Sequence, residues 1–445
     1  MSDLSHYWRG IAAATRSSGW SREQLEAFQS RRLRELVRHA FERVPFYRDL
    51  FRQHGLQPSD IHGIQDLHRL PFAHRSQMQE RPDSDLVAAG CNPERLIVHR
   101  TSGATGAPFT IRRTWFEERL LHAVRLGEHM KLGRRLTDVR AGVTVRAHYR
   151  ASQPIPRPLY ARLGLLRKHN VDCLLPAREI LTRLAEIQPD SLGGYPDALA
   201  WIAGEATEED RRRIRPRFMT CGAETLTPEM RRQITACFGA PLYDFYGAHE
   251  FNLVARQCGE TGLYHVSECS VIVEVLKDGR PAAPGESGEL VGTALHSFAM
   301  PFLRHPLNDL VTRGPLRCPC GAPNATLQSI QGRTIERFSL PDGSKIHPYH
   351  LVGPLVRDTP WLRRYQIVQE TVDRIVIKIV ALPGQAPGQD DLTRIRTQLE
   401  EAVGEGVEIT LCVVPELPRP ESGKFRPYYS LVRQDSLRER SHEVH

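Results

Sequence analysis

The 445-residue sequence predicts a mixed α/β (α+β) protein with a large multi-sheet N-terminal domain and a small C-terminal α+β domain. Three observations predict this fold class. An amphipathic helix lies near the N-terminus, short β-rich and helical runs alternate from about residue 96, and a separate strand–helix–strand pattern fills the last hundred or so residues. We place the domains at residues 1–331 and 332–445.

The N-terminal helix has both a start signal and an end signal. Ser21 and Gln24 have the spacing of a capping box. Apolar residues then recur at helical spacing from Leu25 to Val44, which predicts a helix with one face in the core. Pro45 ends the pattern, because proline has no backbone N–H and clashes within a helix.

The middle of the chain alternates strands and turns. Residues 96–98 precede a glycine-rich loop and residues 109–111 follow it, so the two runs are expected to pair as a hairpin. Another strand is expected at residues 290–293, after a glycine-bounded turn at 285–288. This mixing of elements favours a core with several sheets.

The C-terminal domain has its own pattern. Residues 374–380 are β-branched and predict a strand, and residues 407–414 predict a second one. Between the two strands, one apolar helical face is expected. It consists of Leu392, Ile395, Leu399 and Val403.

Composition excludes several classes of protein. Hydrophobic residues make up 40% and charged residues 25%, as in an ordinary globular protein, and no apolar run reaches the roughly 20 residues of a membrane-spanning helix. The net charge of +8 is scattered, which argues against a nucleic-acid partner and suits the handling of anionic nucleotides and acids. Nine cysteines, an odd number, without a visible secretory signal predict a reducing, cytoplasmic compartment.

Two distant segments suggest phosphate chemistry. Near the C-terminus, Lys424 follows a Ser-Gly turn between two prolines, which presents its ammonium group on a restricted loop. Far upstream, the loop at residues 101–106 has three hydroxyls and two glycines that let backbone N–H groups approach phosphate oxygens. These residues are Thr101, Ser102, Thr105, Gly103 and Gly106. An ordinary hairpin turn is the alternative for this loop.

Three further side chains suit a nucleotide. Tyr246 offers an aromatic face for a base, and Glu250 offers a hard oxygen ligand for Mg²⁺. The alternative for both is a buried strand end with a satisfied glutamate. Asp309 lies between apolar residues, so its carboxylate should have a definite partner, either a ribose diol or a structural arginine.

Three cysteines and a histidine form a second candidate site. Cys258 is followed seven residues on by His265, and Cys318 and Cys320 come in a Cys-Pro-Cys-Gly turn. Three thiolates and one imidazole make a tetrahedral Zn²⁺ set that leaves no open position for catalysis. Free thiols are the alternative. Cys269 is a rival ligand, but the strand-like sequence after His265 predicts that it points into the core.

The order of these motifs resembles that of the adenylate-forming superfamily of acyl-CoA synthetases, adenylation domains and luciferases. Within it, the chain looks most like the phenylacetate–CoA ligase and capsule-synthesis branch. The resemblance runs from residues 44–47 and 70–72 to Lys424. It implies the adenylate-forming enzyme fold with a small, mobile C-terminal lid domain, and a structural zinc site at the Cys…His…Cys-x-Cys pattern.

The resemblance also implies a role for each matching position. The loop at residues 101–106 would bind the ATP phosphates, and Glu250 would bind Mg²⁺. Arg333 lies in the hinge motif and Glu336 at the hinge acid, and Lys424 matches the lysine that promotes adenylation. The remaining nucleotide-binding positions match residues that contact adenine and ribose: Gly222, Ala223, Glu224, Tyr246, Gly247 and Asp309.

Some positions depart from the family pattern or have two interpretations. His249 stands where the family usually has Thr or Ser near the α-phosphate; it can donate a hydrogen bond there as a catalytic residue, or it can reshape the acid pocket. Residues 305–308 also differ from the usual sequence of the branch. Tyr195 matches a wall of the acid pocket, where it would pack on an aryl substrate or simply in the core.

The resulting prediction is an ATP- and Mg²⁺-dependent ligase. It would convert a carboxylic acid, aryl or arylacetic, into an acyl-adenylate and transfer the acyl group to coenzyme A. An amine or a carrier-protein thiol is the alternative acceptor. A non-catalytic nucleotide-binding protein on a degenerate ligase fold is the rival from a different class. A homodimer is the family expectation.

Overall fold

The computed structural model divides the chain into two compact units, Met1–Ile330 and Gln331–His445. The division lies one residue from the predicted domain boundary. Residues 101–106, Glu336 and Lys424 lie outside the described residues, and of Arg333 only the backbone is described. The structure describes residues 19–100, 109–144, 150–151, 163–173, 175–333, 338–346, 348, 351, 354–355, 359, 361–382, 384–417 and 427–432.

A helical segment opens the described part of the first unit. Helix α1 (Arg22–Arg43) begins after Ser21, whose side chain accepts a hydrogen bond from the backbone of Gln24, while the Gln24 side chain accepts one from the backbone of Ser21. The predicted capping box is therefore confirmed. Pro45 follows the end of α1 and also begins α2 (Pro45–Gln53), where its missing N–H leaves no helical bond unmade. The sequence pattern indicated the end of the first helix but not the start of the second.

The remaining helices occur in both units. The second unit contributes α10, and the first contributes the others. They are α3 (Arg75–Gln79), α4 (Asp83–Leu86), α5 (Trp115–Lys131), α6 (Ala177–Ile187), α7 (Pro196–Glu205), α8 (Glu208–Arg213), α9 (Pro228–Phe238) and α10 (Gln389–Val403). Short 3₁₀ helices lie at Pro58–Asp60, Ile64–Arg69 and Pro93–Arg95.

The strands of the first unit form two sheets. They are β1 (Ile97–Arg100), β2 (Thr110–Arg113), β3 (Arg140–Thr144), β4 (Arg150–Ala151), β5 (Lys168–Asp172), β6 (Ser191–Gly194), β7 (Phe218–Gly222), β8 (Leu242–Tyr246), β9 (Ala255–Gln257), β10 (Tyr264–Val266), β11 (Val271–Lys277), β12 (Arg280–Pro281), β13 (Ser287–Ala294), β14 (His305–Arg313) and β15 (Thr326–Arg333). The smaller sheet has the order β2-β1-β4, and β1 pairs antiparallel with β2. The predicted hairpin around the glycine-rich loop is confirmed by this pairing.

The larger sheet changes strand direction along its width. Its order is β12-β11-β13-β14-β15-β10-β9-β8-β7-β6-β3-β5. Strands β8, β7, β6, β3 and β5 run parallel, whereas β9 pairs antiparallel with β8. The carboxyl ends of the parallel strands therefore meet at one edge of the sheet, where open α/β sheets bind their ligands.

Two main hydrophobic cores support the large sheet. One joins α1 and α2 to strands of the antiparallel half, with members such as Leu36, Tyr47 and Leu290. The other packs α6, α7 and α9 against the parallel half, with members such as Leu184 and Leu199. Strand β8 borders both, because Leu242 belongs to the second core while Tyr246 packs against the first.

The second unit is a small sheet covered by one helix in its described part. Its strands are β16 (Phe338–Ser339), β17 (Lys345–Ile346), β18 (Leu362–Thr371), β19 (Arg374–Ala381), β20 (Glu408–Val413) and β21 (Tyr428–Ser430). The main sheet has the order β20-β19-β18-β21. Strands β19 and β20 are parallel, and three of the four predicted helix positions, Ile395, Leu399 and Val403, are buried on α10. The predicted strand–helix–strand unit is confirmed, and the fold class is the mixed one expected.

No helix in the described part of the chain is both long enough and apolar enough to span a membrane.

Candidate functional site

The carboxyl ends of β7 and β8 form a narrow backbone crevice. A side chain on Gly222, the last residue of β7, would clash with the carbonyl oxygen of Phe245. A side chain on Gly247, just after β8, would clash with the carbonyl oxygen of Asn252. Ala223 has a φ of 69°, a left-handed conformation that turns the chain sharply away from β7. Glycine is therefore required at both strand ends, because the neighbouring backbone leaves no room for a side chain there.

Two predicted nucleotide-binding side chains meet beside this crevice. Tyr246 ends β8 and Asp309 lies on β14, yet the Tyr246 hydroxyl donates a hydrogen bond to Asp309 Oδ2. Asp309 is buried and Tyr246 is half-buried. The Tyr246 hydroxyl is thus one definite partner of Asp309, and contact of this carboxylate with a ribose diol or a structural arginine stays a prediction.

His249 and Glu250 follow in a turn after β8. His249 is exposed, and its backbone carbonyl accepts a hydrogen bond from the guanidinium of Arg113. Glu250 is buried beside His305, on which its charge acts. Burial lowers the pKa of His305, although the charge of Glu250 acts in the opposite direction. Within the described residues, no hydrogen-bond donor reaches the carboxylate of Glu250.

A buried carboxylate connects this turn to the hairpin that carries the glycine-rich loop. Glu118, on α5, accepts hydrogen bonds from His99 Nε2 on β1 at 3.0 Å and from Arg113 Nη1 on β2 at 3.3 Å, and lies 3.2 Å from His122 Nε2. Burial opposes ionisation of Glu118. Hydrogen bonds from His122 and His99 and the charge of Arg113 outweigh it, so the pKa of this carboxyl lies below its ordinary value. Arg113 also binds the His249 carbonyl, so one network fixes both segments.

We predict that Glu118→Gln weakens both the fold and the site. The substitution keeps the shape of the side chain but removes the charge opposite buried Arg113, which should cost about 3 kcal/mol of unfolding free energy. Thermal or urea unfolding measures this loss. Glu23→Gln is a matched control, because Glu23 is solvent-exposed on α1 and should change stability little.

The pH dependence of the same pair of proteins provides a check. Because the pKa of Glu118 is lower in the folded protein than in the unfolded chain, its stabilising effect is fully present above the unfolded pKa of about 4.3 and decreases as the pH falls below it. The stability difference between the wild type and Glu118→Gln should therefore shrink between pH 7 and pH 3. A difference that stays constant would contradict an ionised Glu118.

The other predicted pocket residues lie along the same edge of the sheet. Glu224 follows Gly222 and Ala223 after β7, and the Cys221 thiol just before them lies 3.7 Å from Asp244 Oδ1. Tyr195 follows β6, begins α7 and is buried in the second core. The core position of Tyr195 matches the plainer of its two interpretations, and contact with a substrate stays a prediction.

The predicted metal ligands come together in the structure. The ligand atoms of Cys258, His265, Cys318 and Cys320 all lie within 4.8 Å of one another. The Cys258 and Cys318 sulfurs are 3.9 Å apart, and Cys320 Sγ is 3.5 Å from His265 Nε2. Cys269 lies in a turn before β11, buried in the first core and outside this cluster. The expected core position of Cys269 is correct, although a turn, not a strand, carries it.

Sequence reasoning missed the Glu118 network. Its members are ordinary charged residues, and Glu118 is 19 positions from His99. A weak signal existed: Thr114 and Glu117 have capping-box spacing, which places Glu118 in the first turn of a helix directly after the hairpin. The pairing itself depends on how the hairpin packs on α5, which no local pattern encodes.

Comparison with known proteins shows what the chain is similar to. A family model described as the CapK C-terminal domain matches residues 338–429. The chain is 27% identical to the phenylacetate–coenzyme A ligase of Thermus thermophilus, with 91% of this chain and 96% of the relative covered. It is 28% identical to the enzyme of the same name from Escherichia coli, with 91% and 95% covered.

A solved structure agrees on the fold. The 2-hydroxyisobutyryl-CoA ligase in its postadenylation state, in complex with R3-HIB-AMP, superposes with a TM-score of 0.76 at 21% identity. The alignment covers 95% of this chain and 92% of that one. The chain therefore has the fold of adenylate-forming CoA ligases and is a homologue of phenylacetate–CoA ligases over nearly its whole length, as the sequence motifs predicted.

Proposed function

We propose that this chain is an AMP-forming acid–CoA ligase, which activates a carboxylic acid with ATP and transfers the acyl group to coenzyme A. The observation that carries the proposal is the pairing of Tyr246 with Asp309 beside the Gly222–Gly247 crevice. It joins an aromatic face and a carboxylate, suited to a base and a ribose, at the sheet edge where such folds bind ligands. The similarity to phenylacetate–CoA ligases over 91% of the chain supports both half-reactions.

The reaction needs charge neutralisation at its first step. A carboxylate oxygen of the acid attacks the α-phosphorus of ATP, an O–P bond forms, and pyrophosphate leaves. Both reactants are anions, so the ammonium of Lys424, a hydrogen bond from His249 and the backbone N–H groups of residues 101–106 would stabilise the added charge. In the second step the thiolate of coenzyme A attacks the acyl carbon, and AMP leaves.

Glu250 has the properties of a Mg²⁺ ligand. It is a buried carboxylate at the crevice edge, and no donor among the described residues occupies it. Mg²⁺ typically takes one or two carboxylates together with phosphate oxygens, and when bound it would neutralise phosphate charge. We assign this ligand role to Glu250, and we assign Arg333 and Glu336 to the hinge motif, near the start of the second unit.

The cysteine cluster fits a structural Zn²⁺ ion. With Zn–S bonds of about 2.3 Å and Zn–N bonds of about 2.0 Å, a tetrahedron has S–S edges near 3.8 Å and S–N edges near 3.5 Å. The observed separations of 3.9 Å and 3.5 Å match these edges. We propose that Cys258, His265, Cys318 and Cys320 hold the ion. None of the nine cysteines, all of which the structure describes, forms a disulfide bond, which suits the reducing, cytoplasmic compartment that we propose with it.

Pyrophosphate exchange with a panel of carboxylic acids tests the proposed function. We expect ATP–pyrophosphate exchange that depends on an acid, and a thioester by mass spectrometry when coenzyme A is added. An amide or a carrier-protein adduct in place of the thioester would keep the first half-reaction and change the acceptor. Tight ATP binding without exchange for any acid would indicate a non-catalytic nucleotide-binding protein. Gel filtration with light scattering would test the homodimer that we infer from the family.

A set of three variants tests the nucleotide site. Asp309→Ala should raise the KM for ATP by about 10- to 100-fold, because a charged hydrogen bond to the ribose is lost. Tyr246→Ala should also raise it, since the stacking surface is removed. Tyr246→Phe keeps the ring and loses only the hydroxyl that contacts Asp309, so it is the matched control with a smaller expected effect. Equal effects of Tyr246→Phe and Tyr246→Ala would argue against base stacking.

A further inference from the structure

A group of cations lies on one face of the parallel half of the large sheet, beneath α5. Arg140, on β3, extends across β6 and β7: its Nη1 lies 3.3 Å from Thr220 Oγ1, and a Cβ atom on Gly193 would lie 2.8 Å from its Cζ. From α5, Arg125 places its Cζ 6.0 Å from the centroid of the Phe245 ring. In-register pairing puts Gly193 and Thr220 side by side, so these groups share one face.

The two arginines lack an acidic partner among the residues that the structure describes. In the described part of the chain, neither Arg125 nor Arg140 forms an ion pair with a carboxylate. The charges that act on Arg140 are those of Arg125 and Arg134, and burial together with these cations lowers the pKa of Arg140 to about 9. The fully buried arginines of the described part of this unit are paired with carboxylates: Arg32 with Glu35, Arg113 with Glu118, Arg256 with Glu128 and Arg304 with Glu274.

A buried histidine on α5 lies close to these cations. His129, one turn after Arg125, lies with its ring 4.9 Å from the ring of Phe245 and is 4% exposed. Its Nδ1 contacts the Arg125 carbonyl at 2.7 Å, while its buried Nε2 has no hydrogen-bond partner. Burial and the charge of Arg140 hold the pKa of His129 well below its ordinary value. Lys168, in register with Arg140 on the edge strand, adds a cation at an exposed position.

An anion bound by Arg125 and Arg140 would compensate their positive charge. Arg125 and Arg140 are half-buried. A partly desolvated cation without a counter-charge is costly, and a planar guanidinium beside a hydroxyl suits a carboxylate or another oxyanion. Thr220 lies two residues before the carboxyl end of β7, which is about 7 Å along the strand. The activated carboxyl would lie at that end under the proposed function, so the anion on Arg140 would be at the far end of the same acyl group.

We propose that the acid substrate carries a second anionic group, which Arg140 and Arg125 bind beneath α5. This inference rests on the proposed function and specifies its substrate class. The substrate would then be a diacid with an aryl or alkyl body, because an arylacetic acid with a single carboxyl group would leave the two arginines without a counter-charge.

Matched pairs of acids test the inference in pyrophosphate exchange. The pairs are phenylacetate with 4-carboxyphenylacetate, and hexanoate with adipate. We expect the wild type to favour the diacid in at least one pair by about 30-fold or more in kcat/KM, the range for loss of one charged contact. Arg140→Gln should abolish this preference, and Arg140→Lys should restore part of it. Arg178→Gln, which removes a surface arginine paired with Asp210, should leave the preference unchanged.

Several outcomes would overturn the inference. One is a wild type that favours the diacid in neither pair; another is an Arg140→Gln variant whose main effect is a raised KM for ATP or coenzyme A. Thermal unfolding distinguishes a ligand-binding role of Arg140 from a structural one. If the role is ligand binding, Arg140→Gln should not lower the Tm of the ligand-free protein, because it removes an uncompensated cation. If no acid supports exchange, the proposed function fails. Calorimetry with 4-carboxyphenylacetate then decides the inference: binding that Arg140→Gln weakens by about 30-fold supports it, and no binding overturns it.

Discussion

Replacing Lys424 with alanine should slow acyl-adenylate formation by about 10²–10³-fold, the range for losing one electrostatic stabiliser of a transition state. The attacking carboxylate and the triphosphate repel each other, and Lys424 supplies the mobile positive charge in the proposed mechanism. Pyrophosphate exchange measures this half-reaction alone. The second half-reaction, started from purified acyl-adenylate and coenzyme A, should proceed at nearly the wild-type rate, because the thiolate attack does not involve the triphosphate.

Lys277→Ala is a suitable control for this experiment. Lys277 lies on the surface of the first unit with its Nζ 2.8 Å from Glu286 Oε1, so its loss should affect neither half-reaction. If Lys424→Ala catalysed pyrophosphate exchange at the wild-type rate, Lys424 would not be the residue that neutralises charge in adenylation. An equal loss in both half-reactions would instead indicate a general structural effect.

Zinc removal has the other large expected effect. Purified protein should contain one zinc ion per chain, and Cys318→Ser should lose it because only three ligands remain. Structural zinc contributes directly to folding free energy, so we expect a fall in Tm of about 5 °C or more. Metal analysis by mass spectrometry and a thermal scan measure the two quantities. The pyrophosphate exchange rate per folded molecule should change less than the stability, since the site has no open coordination position.

Cys412 offers a matched substitution for the zinc experiment. It is a partly exposed thiol on β20 in the second unit, so Cys412→Ser should keep both the metal and the Tm. Zinc-free protein in which the thiols of Cys258, Cys318 and Cys320 are as freely alkylated as that of Cys412 would contradict the assignment.

The sequence predicted the helices and strands whose capping, turn or periodicity pattern lies within one short stretch of the chain. The capped helix after Ser21, the hairpin around the glycine-rich loop and the helix face of α10 all depend on residues that are neighbours in sequence. Strand β18 was not predicted, although it pairs with β19 along most of its length. Its sequence mixes charged and apolar residues without alternation, and residues 365–369 are buried on both faces of the strand once it pairs with β19 and β21.

The candidate site divides in the same way. Motif order indicated Tyr246, Asp309 and the four metal-ligand residues, and the structure brings each set together. The roles of Arg140 and Glu118 did not emerge from the sequence, because an arginine or a glutamate has no distinctive neighbours in the chain. Their significance comes from what lies opposite them: a buried arginine and a half-buried histidine for Glu118, and no acid among the described residues for Arg140.

Strand β8 separates two independently packed interiors, and this position has a mechanical consequence. Densely packed cores transmit strain. A change of side-chain volume in either hydrophobic core is therefore expected to displace strand β8. Tyr246 stands at the end of that strand and abuts one interior, while Leu242 at its beginning is embedded in the other. Core substitutions on either side of the sheet, even far from the substrate, are therefore expected to shift the Tyr246 ring by displacing strand β8.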